Sequence, residues 1–293
     1  MASASEAVVS KAAGGRAWLR GALALVVGYV GLCGVARASY RQFVYPAPPP
    51  ATFAAVAGEE LLGARASDGV EAHALWFAPR SADARVIAYF HGNGETADGD
   101  VPLARRLAAR GFGVLLVEYR GYGASARSGP PSEAGLYADA DAELDAIARR
   151  GVTADRVALW GWSLGTGVAA EMARRGRGSA LVLVSPFTSV TAVAARVPWA
   201  WWLPTSLLVP DRFDTLSKAR DIHVPTLIAH GDRDSVIPFD MGRALARAIA
   251  GARFFPVHGA DHVDVYAVGG APLMEAIVEQ CRAGHGGNAA GAP

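Results

Sequence analysis

Between Arg85 and Cys281 short apolar runs alternate with longer segments of helical spacing, and that alternation limits the chain to one architecture. RVIAYF (85–90), FGVLLVEY (112–119), RVALWGW (156–162), ALVLVS (180–185) and PTLIAHG (225–231) read as strands apolar on both faces, with ARFFPVHG (252–259) as the last. Between them VPLARRLAARG (101–111), the segment from Ser132 to Arg150 with Ser132 as N-cap, TGVAAEMARRG (166–176), and stretches at 239–250 and 272–282 read as helices. Strands buried on both faces and joined by helices predict an α/β protein: a mostly parallel sheet with helices on both faces. Ahead of it, LLGARAS and EAHALWFA predict a hairpin around Asp68-Gly69, a strong turn dipeptide.

One interval breaks the rhythm. Nearly forty residues separate the strands at 180–185 and 225–231, far more than one crossover needs. They carry VPWAWWLPTSLLVP, so an insertion over about 187–222 is expected at the carboxyl edge of the sheet. Its Trp199 and Trp202 are candidates for contact with an apolar substrate or a lipid surface; the alternative is that they pack the insertion onto the sheet.

The N-terminal region has its own logic. GALALVVGYVGLCGVA, Gly21 to Ala36, is uncharged, with Lys11, Arg16 and Arg20 before it and Arg37 and Arg41 after it. With Trp18 and Leu19 it reaches the roughly 17–25 residues needed to cross a bilayer. The reading is a tail (1–17), a single membrane anchor (18–38) with Trp18 and Tyr40 as interfacial aromatics, a proline-rich linker (39–58), the α/β domain (59–283) and a disordered tail (284–293). A cleaved signal peptide competes, but Arg37 sits awkwardly inside its A-x-A-like site. The slight basic bias favours a domain outside the cytoplasm. Arginine replaces lysine almost everywhere, a codon signature of a GC-rich genome that points to a bacterial inner membrane. A net charge of +1 gives no reason to expect a nucleic-acid partner. Cys33 and Cys281 have neither a disulfide framework nor metal spacing.

GWSLG (161–165) brings chemistry into this frame. At this glycine content a G-x-S-x-G match arises by chance in roughly one such chain in five, so context decides. Here a strand leads in and a helix leads out. Gly161 and Gly165 remove Cβ atoms that would clash where a nucleophile stands proud of the sheet. Ser163 is therefore the candidate nucleophile, and the Leu164 amide at the helix N-terminus a candidate oxyanion donor. HGNGE (91–95) follows the first buried strand and offers the Asn93 amide as the second donor. The acid should follow a later strand, and HGDRDSVIP (230–238) offers Asp232 and Asp234; Asp234, further out on the loop, is preferred, with Asp232 as a turn-former. The base should come last. Of His258 and His262, His258 ends a strand and reads as structural, so His262 is preferred. A metal site on that pair lacks a third ligand cluster, and the chemistry needs no cofactor.

The order Ser163, Asp234, His262, with HGNGE, VEYRGYGAS (117–125), GWSLGTG (161–167), SPFTS (185–189), PDRFDT (210–215), HGDRDSVIP and GADH, resembles an α/β-hydrolase over about 45–281. It is most similar to membrane-anchored serine hydrolases of the bud-emergence-homologue type, related to acyl-protein depalmitoylases and lysophospholipases. The resemblance implies the α/β-hydrolase fold, the triad Ser163, Asp234 and His262, an oxyanion hole from the Asn93 and Leu164 amides, and hydrolysis of esters or thioesters of lipid-like or acylated substrates. Asp261 departs from the small residue usual before the histidine. A serine aminopeptidase, or a non-catalytic binding protein on the same scaffold, are the alternatives.

Overall fold

The computed structural model describes residues 4–48, 59–197 and 202–283. Among these, eight strands form one sheet: β1 (Glu60–Arg65), β2 (Glu71–Phe77), β3 (Val86–Phe90), β4 (Gly113–Val117), β5 (Val157–Trp162), β6 (Ala180–Val184), β7 (Thr226–Gly231) and β8 (Arg253–Val257). Their spatial order is β1-β2-β4-β3-β5-β6-β7-β8. β2 runs antiparallel to both its neighbours, and all later pairings are parallel. The predicted hairpin is β1–β2, closed at Gly69 (φ +85°), with the Asp68 carboxylate accepting from the Val70 amide at 3.2 Å.

Period-2 side-chain alternation divides the core in two. Val86, Ala88 and Phe90 face one cluster, which includes residues of α3 (Glu133–Ala148), α4 (Leu164–Arg174) and α8 (Phe239–Ala248). Ile87 and Tyr89 face the other, filled from α2 (Val101–Ala109) and α9 (Val265–Arg282). Every residue of β3, β4 and β6 is buried, as strands covered on both sides must be. Ser132 caps α3 as predicted, its hydroxyl accepting from the Gly135 amide at 3.1 Å. The last helix was expected at 272–282; in α9 a further segment precedes it from Val265, and Gly270 (φ 49°, ψ −142°) breaks the backbone between the two.

The insertion between β6 and β7 holds α5 (Val190–Ala194), α6 (Thr205–Leu208) and α7 (Thr215–Lys218). Asp214 caps α7, accepting from the Ser217 amide at 3.2 Å. Trp199, the proline-rich stretch at 49–58 and the tail from 284 lie outside the described residues.

The anchor segment belongs to a longer helix, α1 (Ala4–Val44), which overruns the expected 18–38 at both ends. Its stretch Trp18–Val44 has a mean hydropathy of 1.8 and is long and apolar enough to cross a membrane. Tyr29, Cys33, Ala36, Tyr40 and Val44 are spaced by three or four residues and form one stripe. Tyr29 packs its ring on Trp202 (centroids 5.6 Å apart) and donates to the Trp202 carbonyl at 3.0 Å. Tyr40 was expected as an interfacial aromatic. Instead it is only 7% exposed, and it donates to Asp211 Oδ2 at 2.9 Å, as does Tyr45. A hydroxyl in an apolar setting needs a partner, and Asp211 of the insertion supplies it for both.

Candidate active site

Ser163 sits between β5 and α4 with φ +50°, a conformation that costs a non-glycine residue roughly 1–3 kcal/mol and persists only where neighbours enforce it. The enforcement is visible. The Ser163 amide donates to the Val184 carbonyl at 3.0 Å, and its carbonyl accepts from the Thr166 amide and hydroxyl at 3.0 and 2.6 Å. The flanking glycines are obligatory: a Cβ on Gly161 would lie 2.4 Å from the Gly165 carbonyl oxygen, and one on Gly165 would lie 2.0 Å from that of Phe90.

His262, on the loop after β8, brings Nε2 to 2.9 Å from Ser163 Oγ and Nδ1 to 2.8 Å from Asp234 Oδ2. The imidazole is 7% exposed and stacks on Trp162, ring planes 24° apart. Asp234, on the loop after β7, has a fully buried carboxylate. Burial alone would raise its pKa, but hydrogen bonds from His230 and His262 and the Ile237 amide outweigh it and hold the carboxyl far below the usual range. Asp234 Oδ1 accepts from the Val236 and Ile237 amides at 3.0 and 2.7 Å, leaving Oδ2 for the imidazole. The other Asp–His pair stands apart: His258 Nδ1 lies 2.9 Å from Asp232 Oδ2, and Asp232 also accepts from the Gly259 amide.

The Asp261 carboxylate hydrogen-bonds to neighbours other than the imidazole. It accepts from the Ser235 amide and hydroxyl at 2.7 and 2.8 Å, and from the His262 amide at 2.7 Å. It thereby ties the loop of the acid to the loop of the base.

Sequence reasoning passed over His230, which is wholly buried at the end of β7. Its Nε2 lies 2.9 Å from the Ile237 carbonyl and 3.2 Å from Asp234 Oδ2. Its sequence signal is only its place in HGDRD, where a core histidine looks the same.

Asn93 and Leu164 flank Ser163 in a cavity of about 340 Å³. Leu164 opens α4, where an amide has no intrahelical acceptor. The HGNGE loop carrying Asn93 is pinned from several sides. Burial opposes a charge on His91, but the Glu118 carboxylate, 3.0 Å from Nε2, raises its pKa. Glu118 also accepts from the Ala97 amide, Glu95 from the Gly92 amide, and Asn93 Oδ1 from the Tyr122 hydroxyl. The VEYRGYGAS segment thus holds the loop next to the serine.

The cavity is walled by Phe187, Val193, Val197, Leu208 and Val209 of the insertion, and by Ala36, Tyr40, Phe43 and Val44 of α1. No charged side chain lines it among the described residues. Trp202 is not part of this lining; the structure sets it against Tyr29. The α1 contribution has no sequence counterpart beyond the aromatics Tyr40 and Phe43 at the end of the anchor.

A serine on a tight strand-to-helix turn, reached by a histidine and an acid from the ends of later parallel strands, is the arrangement of an α/β-hydrolase. The profile of the family described as serine aminopeptidase, S33, matches residues 81–213. An uncharacterised protein of Mycobacterium tuberculosis is 34% identical over 207 residues, 69% of this chain and 72% of its own length. Lysophosphatidylserine lipase ABHD12 of Danio rerio is 36% identical over 178 residues, 55% of this chain and 46% of its own. The chain spans about half the length of the lysophosphatidylserine lipases it matches. Among solved structures, an esterase of Pyrococcus furiosus superposes with a TM-score of 0.65 at 18% identity, covering 80% of this chain and 97% of that one. The chain belongs to the α/β-hydrolase family.

Proposed function

We propose that this enzyme is a membrane-bound serine hydrolase that cleaves carboxylic esters of a long acyl chain, through an acyl-enzyme on Ser163. Its hydrolase class follows from its relatives, among them the lysophosphatidylserine lipases and the esterase. The observation that carries the residue roles is the continuous chain Ser163 Oγ, His262 Nε2 (2.9 Å), His262 Nδ1, Asp234 Oδ2 (2.8 Å), whose serine lines a cavity with no charged side chain among the described residues.

His262 Nε2 takes the Ser163 proton as Oγ attacks the acyl carbonyl. Asp234, kept ionised, accepts from Nδ1–H, fixes the tautomer and stabilises the imidazolium. The Asn93 and Leu164 amides donate to the oxyanion. His262 then returns the proton to the leaving alcohol or thiol, and water repeats the sequence to release the acid.

The apolar lining favours an acyl chain over a charged group. A serine aminopeptidase must hold a substrate ammonium, and the described lining offers it no carboxylate. Lysophospholipids and acylated proteins fit both the cavity and an anchored enzyme. We place α1 across a bacterial inner membrane with the catalytic domain on its periplasmic side.

The test is labelling by a fluorophosphonate of wild type, Ser163→Ala and His262→Ala, followed by p-nitrophenyl esters of increasing length. Wild type alone is expected to label, and Ser163→Ala to cut turnover by about 10³-fold or more. A folded wild-type protein that neither labels nor hydrolyses any of the esters refutes the assignment.

A further inference from the structure

The cavity is not built from the catalytic domain alone. Its walls include the last turns of α1, with Ala36, Tyr40, Phe43 and Val44 on the same cavity as Ser163. We infer that the membrane helix is a wall of the acyl site and that Ala36 is a determinant of acyl-chain length. The inference rests on the serine-hydrolase reading and names a specificity residue for it.

Three observations carry it. The first is fixation. α1 is tied to the insertion on both sides of Ala36: Tyr29 donates to the Trp202 carbonyl at 3.0 Å, and Tyr40 and Tyr45 donate to Asp211 at 2.9 Å. Tyr29 and Tyr40 are eleven residues apart, about 16 Å of helix at 1.5 Å per residue, so the insertion follows α1 for some three turns. The second is side-chain size. In the stripe that α1 turns toward the domain, Ala36 falls between Cys33 and Tyr40, is the smallest side chain, and lines the cavity. The third is chemistry. The helix wall and the insertion wall are both mainly apolar and carry no charge among the described residues, and the cavity volume of about 340 Å³ is that of a small-molecule site. A single acyl chain fits such a slot; a polar or charged group would lose its hydration there without replacement.

The experiment uses the full chain in nanodiscs and p-nitrophenyl esters from butyrate to myristate. Ala36→Trp is compared with Val193→Trp, which fills the same cavity from the insertion, and with Ala38→Trp on the exposed side of α1. Ala36→Trp is expected to lower kcat/KM on laurate and myristate by about tenfold or more, with butyrate within about twofold of wild type. Ala38→Trp is expected to leave the profile unchanged. A shifted profile for Val193→Trp with none for Ala36→Trp overturns the inference and leaves the hydrolase reading standing. Unchanged profiles for both overturn the inference together with the placing of the acyl chain in this cavity. Wild type inactive on every ester refutes both. Butyrate turnover reports folding; if Ala36→Trp lacks it, Ala36→Leu carries the same comparison with a smaller expected shift.

Discussion

Replacing Gly165 by alanine tests how closely the Ser163 turn is packed against the HGNGE loop. The added Cβ would lie 2.0 Å from the Phe90 carbonyl oxygen, 2.6 Å from its carbon and 2.7 Å from the His91 carbonyl oxygen, where such contacts essentially never fall under 3.0 Å. Backbone must therefore move by about 1.0 Å, the difference between the first and last of those distances. The displaced groups adjoin both proposed oxyanion donors: Leu164 precedes Gly165, and Asn93 lies two residues beyond His91. A misplacement of that size at a reacting centre costs on the order of 10²-fold in rate, or about 2.7 kcal/mol of transition-state stabilisation. Overpacking should remove about 1–3 kcal/mol of stability as well. Gly167→Ala is the control, because its Cβ meets the Phe213 side chain at 2.9 Å, a ring that can shift; about threefold loss or less is expected there. The assays are kcat/KM on p-nitrophenyl butyrate, which needs little of the acyl cavity, and thermal unfolding. Gly165→Ala with kcat/KM within about twofold of wild type would refute the argument that this contact sets the oxyanion geometry.

Asp234→Asn should cut turnover by about 10⁴-fold through loss of the tautomer-fixing acceptor, while Asp232→Asn, whose partner is His258, leaves it near wild type; equal losses in steady-state assays would contradict the choice of acid. Glu143 on α3 is wholly buried, and its carboxyl group makes no hydrogen bond of good geometry among the described residues, the Glu118 backbone being only a weak counterweight. Burial, then Asp139 and Glu118, raises its pKa well above normal. The folded state thus holds a proton that the unfolded state releases above about pH 4.3, so stability is full below that pH and falls as pH rises toward the folded pKa. Glu143→Gln should therefore gain on wild type in melting temperature between pH 4 and pH 8; a difference independent of pH would refute this. Asp211→Ala strands two buried tyrosine hydroxyls and should cost about 1–3 kcal/mol for each, read as thermal unfolding in detergent; an unchanged midpoint would mean that α1 is not held by this contact.

Much of this was legible in the sequence because it rests on local rules. Strands apolar on both faces pointed to the parallel sheet, Ser132 and Asp68-Gly69 marked a cap and a turn, and the placing of GWSLG, HGDRD and GADH after three different strands anticipated that Ser163, Asp234 and His262 lie together. What escaped has a physical cause. The helix is apolar all round although protein covers only one side of it, so no periodicity separates the stripe through Ala36 and Tyr40 from the exposed face. Tyr40 looks like an interfacial aromatic until Asp211, 171 positions away, is brought to it. His230 stands in a strand whose every neighbour is buried, and only the returning loop shows that it also touches Asp234.

The tie between α1 and the insertion bears on how such an enzyme can be handled. A fragment begun after Val44 would keep Ser163, Asp234, His262 and both of their loops, and on the proposed reading it should retain activity on small activated esters. It would lack the wall that Ala36, Tyr40, Phe43 and Val44 give the cavity in the full chain. On the proposed acyl-site reading, branched or bulky acyl groups then gain room on that side, and a substrate profile drawn from the fragment would describe the fragment.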